Sequence, residues 1–172
     1  SAFELLHRTL TLSEKREIFE VFYEVGIRMG ITDLPKNFED WEVKRKENGV
    51  YVFVISGKAT INGQEWKASG NSRITTVAGF TVFAIGAGAT DRSNIALTLD
   101  AERTGNFDLT GKAIWTTADQ VVHNSTSGTL TITNIDGNKV SGTFAFKASP
   151  MTGSGPEVTV ANGKFTDVNI MR

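Results

Sequence analysis

His7 and His123 are the two histidines of the chain, 116 positions apart, and there is no cysteine. A metal or haem needs donors that converge, and neither histidine has a second one at i+2, i+3 or i+4. The missing thiols remove disulfides, zinc–thiolate sites, iron–sulfur clusters and a cysteine nucleophile. Asn134-Ile-Asp136-Gly-Asn138 has the composition of a calcium loop. Its glycine stands fourth where an EF-hand requires it sixth, and no bidentate Glu follows, so a hairpin turn accounts for it. Gly86-Ala-Gly88-Ala-Thr-Asp91 lacks the third glycine, the lysine and the helix of a phosphate cradle. Ser127, Ser141 and Ser154 sit beside glycines without a Gly-x-Ser-x-Gly elbow. Glu14, Glu17, Glu20 and Glu24 form one solvated face of a helix and not an acid–base pair. The residues therefore predict no enzyme, no cofactor and no metal. What remains is a set of rings on candidate strands: Trp66, Phe80, Phe107, Trp115, Phe144 and Phe146, with Phe165 beside them. A packed core is one reading, and the lining of a cavity for a small apolar ligand is the other, because a barrel can enclose one such molecule.

These rings belong to a chain of 172 residues with net charge −1 and a pI near 6.1. That balance gives no electrostatic argument for nucleic acid or an anionic membrane. No run of about 18 apolar residues is present to span a bilayer. No signal peptide or lipobox is visible, and Ser1 suggests a trimmed or partial chain. Composition changes at Asn48-Gly49. Residues 1–48 carry 18 charged side chains and 2 glycines, whereas 49–172 carry 19 charges and 15 glycines. The expected organisation is a helical head, 1–48, and a β-domain, 49–172.

In the head, Thr11-Leu-Ser-Glu14 has the spacing of a capping box. Ile18, Val21, Phe22, Val25 and Met29 follow with helical period, and Gly30 is placed to end the helix. A second, shorter helix is expected from about Asn37 to Asn48-Gly49, with Phe38 and Trp41 as its contacts. In the β-domain, Ile95/Leu97/Leu99, Leu130/Ile132 and Phe144/Phe146 alternate with polar or small residues. Asn62-Gly63, Asp136-Gly137 and Asn162-Gly163 read as hairpin turns, the last joining Val158–Val160 to Phe165–Ile170. The fold class expected is mainly β: an antiparallel sandwich or barrel of about nine to ten strands behind a two-helix segment.

Two resemblances fall on the two sides of the composition change. Ala59-Thr-Ile-Asn-Gly-Gln-Glu-Trp-Lys-Ala68, Ser127-Gly-Thr-Leu-Thr-Ile-Thr-Asn-Ile-Asp136, Val140-Ser-Gly-Thr-Phe-Ala-Phe146 and Val158-Thr-Val-Ala-Asn-Gly-Lys-Phe-Thr-Asp-Val168 resemble a family of small uncharacterised Bacteroidetes lipoproteins. The likeness covers residues 56–170 and implies an exported, all-β, non-catalytic domain with no assigned ligand. Leu10-Thr-Leu-Ser-Glu-Lys-Arg-Glu17, Gly26-Ile-Arg-Met-Gly-Ile31 and Asp33-Leu-Pro35 resemble part of the haem-dependent oxygenase family that includes latex-clearing enzymes. The haem-ligating histidine of that family lies upstream of this stretch, so the resemblance transfers no site residue. The function expected is a calycin-like binding module for a small apolar ligand or a protein partner. A structural or adhesive cell-surface domain is the alternative, and an oxygenase remnant a distant third.

Overall fold

The computed structural model describes residues 10–30, 34, 36–46 and 49–172. They form two compact units, Ser1–Ile55 and Ser56–Arg172. His7, the connection 47–48 and part of the oxygenase-like stretch lie outside the described residues.

The first unit opens with α1, Leu12–Arg28. Its capping box is formed: the Thr11 hydroxyl accepts from Glu14 N at 3.2 Å, and Glu14 Oε1 accepts from Thr11 N at 3.1 Å. Glu24 and Arg28 pair across one turn, and Gly30 (φ +76°) follows the end. The buried face differs from the one that the apolar period indicates. Gly26 is the notch, because a Cβ there would stand 2.3 Å from Leu34 Cδ1. Phe19 meets Trp41 edge-on at 5.4 Å and Phe38 at 5.6 Å. Val21, Val25 and Met29 remain exposed. Close approach at a glycine and stacking of rings decide the face here.

The expected second helix is absent. Phe38–Asp40 make a single 3-10 turn, and Trp41–Lys46 (β1) then pair antiparallel with Gly49–Val54 (β2). Trp41 and Val43 are buried on either side of half-exposed Glu42, which is the period of a strand. The β-branched and aromatic run Val50-Tyr-Val-Phe-Val54 supplies the pairing partner that the charged stretch needs. Because β2 pairs with β1, the boundary between the units falls at 55/56 rather than at 48/49.

The second unit contains β3 (Gly57–Ile61), β4 (Gln64–Val77), β5 (Phe80–Gly88), β6 (Asn94–Leu99), β7 (Gly105–Asp108), β8 (Ala113–Thr116), β9 (Val122–Asp136), β10 (Lys139–Pro150) and β11 (Val158–Met171). Pairing runs β3-β4-β5-β6-β8-β9-β10-β11 and returns from β11 to β3, which closes an eight-stranded barrel; β7 lies against β9 beside β8. Of the two architectures expected, the chain adopts the barrel. Every ladder is antiparallel except a short parallel contact of Ile170 and Met171 with Ser72 and Arg73.

The three Asn-Gly and Asp-Gly signals have three outcomes. Asn62 (φ +49°) and Gly63 (φ +82°) form the expected turn, with Ile61 opposite Gln64. In the β9–β10 hairpin Asp136 already faces Lys139, so the central residues are Gly137-Asn138 and the positive φ falls on Gly137 alone. A glycine-first turn belongs to type II′ rather than I′. Asn162-Gly163 is no hairpin. β11 passes straight through it as a bulge, with Asn162 at φ +51° and a register shift against β3 between Ala161 and Lys164. Gly163 is required there, since a Cβ would lie 2.5 Å from the Phe144 ring.

Candidate functional site

Alternation sends one set of side chains into the barrel from every strand. Trp66 on β4 and Trp115 on β8 meet edge to face at 5.7 Å. Trp66 Nε1 donates to Ser93 Oγ at 2.9 Å, and the Ser93 hydroxyl in turn donates to Asp91. This chain satisfies a buried indole N–H, which would otherwise be costly. On β10, Phe144 lies between Phe165 (6.2 Å) and Phe146 (6.3 Å) in offset stacks. Phe107 on β7 is capped by the Arg103 guanidinium, 4.3 Å above its ring.

The rings do not quite fill the interior. Gly57, Gly70 and Ala87 face inward where bulkier residues would reach across, and a cavity of ≈ 20 Å³ remains between them and Trp66, Phe144 and Phe165. That is room for about one water. Ser56 forms part of its wall at the seam where β11 leaves β3. Ser56 N donates to Ala68 O (2.9 Å), its carbonyl accepts from Thr166 N (2.9 Å), and its hydroxyl accepts from Gly70 N (2.7 Å).

Of the six candidate rings, Trp66 and Phe144 line this cavity. Phe107, Trp115 and Phe146 are buried elsewhere in the same core. Phe80 is 77% exposed beside the β4–β5 turn, because that hairpin runs past the strands that flank it. It lines no interior space. The residues that shape the cavity beyond the rings are Ser56, Gly57, Gly70 and Ala87. Their signal in the sequence is small side chains at core-facing phases of β3, β4 and β5.

Among the described residues the titratable groups other than His123 are spread over the surface. His123 is buried on β9, and its Nδ1 donates to Val121 O at 3.2 Å. Hydrogen bonds from Thr110 N and the Thr110 hydroxyl hold the Asp108 carboxyl below the usual range. Arg172 does the same for Glu102, first by hydrogen bonding and then by its charge. Among the described residues no three His, Asp or Glu side chains converge as metal ligands do. Asn134–Asn138 form the β9–β10 turn and its flanks. Among the described residues no helix is long and apolar enough to cross a membrane.

This geometry defines a small closed antiparallel β-barrel whose mainly apolar interior is nearly filled by its own side chains. The chain belongs to the family described as a domain of unknown function (DUF6252), whose model matches residues 56–169. The matched span begins at the residue where the second compact unit begins. No curated protein and no solved structure matches the chain.

Proposed function

We propose that the barrel is a non-catalytic binding module that meets its partner on its outer wall and not in its interior. The observation that carries this reading is the cavity of ≈ 20 Å³. A drug-sized ligand occupies a site of about 300–1,000 Å³. Eight strands close a barrel that either fills with side chains or holds one small ligand, and the stacked Phe144, Phe146 and Phe165 support the first case. The resemblance of residues 56–170 to exported Bacteroidetes lipoproteins supports a place at the cell surface, where an outer wall meets macromolecules.

Phe144→Ala tests the reading. Deleting a ring from a solid core costs about 3–5 kcal/mol, whereas a ring that borders an open site loses far fewer contacts. Urea melts should show the larger loss, and the wild-type protein should take up no fluorescent apolar probe. A small loss with probe bound inside the wild-type barrel would return the chain to the calycin-like ligand carriers. A structural or adhesive role is the second reading. It is favoured by the β4–β5 hairpin, whose end exposes Val77 and Phe80 side by side at 66% and 77%.

A further inference from the structure

The β4–β5 hairpin runs past the rest of the barrel. Among the described residues, β5 pairs with β6 no nearer the turn than Phe83–Leu99, and β4 with β11 no nearer than Arg73–Met171. Residues 74–82 therefore project as a two-stranded ribbon. Its end row, Val77 opposite Phe80, stands about 10 Å beyond the last pair with β6. Along this ribbon the usual alternation is inverted. In the last barrel row Phe83 is buried, and Ile74 opposite it packs against the core. The next residues in that inward phase are Thr76 and Thr81, whose hydroxyls meet at 3.4 Å. The outward phase carries Val77, Phe80 and Val82, all exposed. A half-solvated hairpin places polar residues on the wet face, and this one places apolar residues there. No charged residue occurs between Arg73 and Asp91, and β5 carries Asp91 away to the other end of the barrel. Arg73 lies at the root of the same outward face, between Ala84 and half-exposed Met171, about 13 Å below Val77. It makes no ion pair among the described residues.

We infer that this hairpin inserts its end into the interfacial layer of a lipid bilayer, with Val77 and Phe80 at the acyl boundary and Arg73 among the lipid phosphates. The inference rests on the outer-wall reading above and names the partner. An interfacial segment buries its apolar side chains about 5–10 Å into the boundary of headgroups and acyl chains. At that depth Arg73 remains level with the headgroups, where a guanidinium grips phosphate with two nitrogens. The uncharged run from 74 to 90 means that no ion is drawn into the acyl layer with the ring. A protein partner fits less well. A stable interface takes about 20–30 residues from each side, and the ribbon offers residues 74–82. A strand added at its edges would find only Ile74–Val77 on β4 or Phe80–Val82 on β5, shorter than the usual strand of about five or six residues. A net charge of −1 gives no long-range attraction to anionic lipid, so apolar contact carries the binding and salt changes it little.

The test sediments the full chain with vesicles of phosphatidylcholine, alone or mixed with phosphatidylglycerol. Wild type should pellet with both, and 1 M NaCl should leave most of it bound. Phe80→Ser should bind at least about tenfold more weakly, the loss of one buried ring. Its thermal midpoint should not move, because the ring is exposed in the free protein. Val121→Ser/Met151→Ser, which removes two exposed apolar residues at the other end of the barrel, should bind as wild type does. Phe80→Trp adds a reporter to three tryptophans that are all buried. Its added emission should shift to the blue on vesicles and become harder to quench with acrylamide. Arg73→Gln should bind the mixed vesicles more weakly; no change there overturns the part given to Arg73. Wild type left in the supernatant overturns the inference, as does Phe80→Ser bound as wild type through exposed Val21 and Val25 of α1. Self-association that Phe80→Ser abolishes, with vesicles ignored, also overturns it in favour of a second copy. The outer-wall reading survives each of these results, and only uptake of an apolar probe inside the barrel removes it.

Discussion

Between β7 and β8 the chain leaves the ladder at Leu109–Lys112, and one hydroxyl holds the wall together across the gap. Ser125 Oγ accepts from Ala113 N at 2.9 Å and donates to the Leu109 carbonyl. Both Leu109 and Ala113 are fully buried. Ser125→Ala removes the hydroxyl partner of the buried Ala113 N–H, at about 1–3 kcal/mol, while the Leu109 carbonyl keeps the bond from Lys112 N at 2.9 Å. Urea denaturation should show a loss well above that of an ordinary serine deletion, and a loss near zero would mean that water replaces the hydroxyl. A second residue-scale contact is electrostatic. Arg172 grips Glu102 with two nitrogens, one at 2.9 Å from Oε2. It holds the Glu102 carboxyl below its ordinary value. A lowered carboxylate stabilises the fold above the ordinary glutamate pKa, and the contribution is lost as pH falls through the lowered value. The stability difference between wild type and Arg172→Gln should therefore be present at neutral pH and vanish in acid. Because the pair is exposed, that difference should also shrink in high salt. A difference that grows on acidification would refute the assignment.

The hairpins follow their turn residues only in part. β4 and β5 are joined by Ala78 at φ +50° and Gly79 at φ +83°. The left-handed region costs an L-residue with a Cβ about 1–2 kcal/mol, and Asn tolerates it better. Ala78→Asn should raise stability by up to about 1 kcal/mol in thermal melts; a loss would show that the tip is held by something other than its turn. The same chemistry explains what could be read from the chain and what could not. Asn62-Gly63 was legible as a turn because both residues adopt positive φ where the strand reverses. Asn162 adopts the same φ at a bulge, because β10 and β3 continue on both sides and keep β11 straight. A dipeptide reports local backbone preference, and neighbours absent from the window decide whether the chain turns. The stretch expected as a second helix forms β1 for a related reason: Trp41 and Val43 alternate, but the charged residues around them obscure a period of two. The inward direction of Phe144 and Phe146 follows from alternation along β10. Which ring meets the cavity depends on Gly57, Gly70 and Ala87 across the barrel, and no local pattern encodes that.

At the scale of the whole molecule, the second unit contains its own closed hydrogen-bonded circuit and its own core. Such a unit has what independent folding requires. Brief proteolysis should cut near residues 46–58, and a 56–172 fragment should melt in one cooperative transition; an unfolded fragment would show that the first unit completes the barrel. The order of closure sets a further condition. β11 is the last strand of the barrel, and it alone bridges β10 to β3, pairing Val160 with Ile61 and Phe165 with Gly57. During synthesis, the sheet that runs from β3 to β10 must wait with two open edges, one at β3 and one at β10, until residues 158–171 have left the ribosome. At about 5–20 residues added per second, the β3 side of the seam stays unsealed for several seconds. Folding is then limited by a contact that spans nearly the full unit, the slow regime of ms to s for β-topologies. The interval of danger for this chain is thus its own translation, when the long β-branched strands β4 and β5 are complete but unclosed.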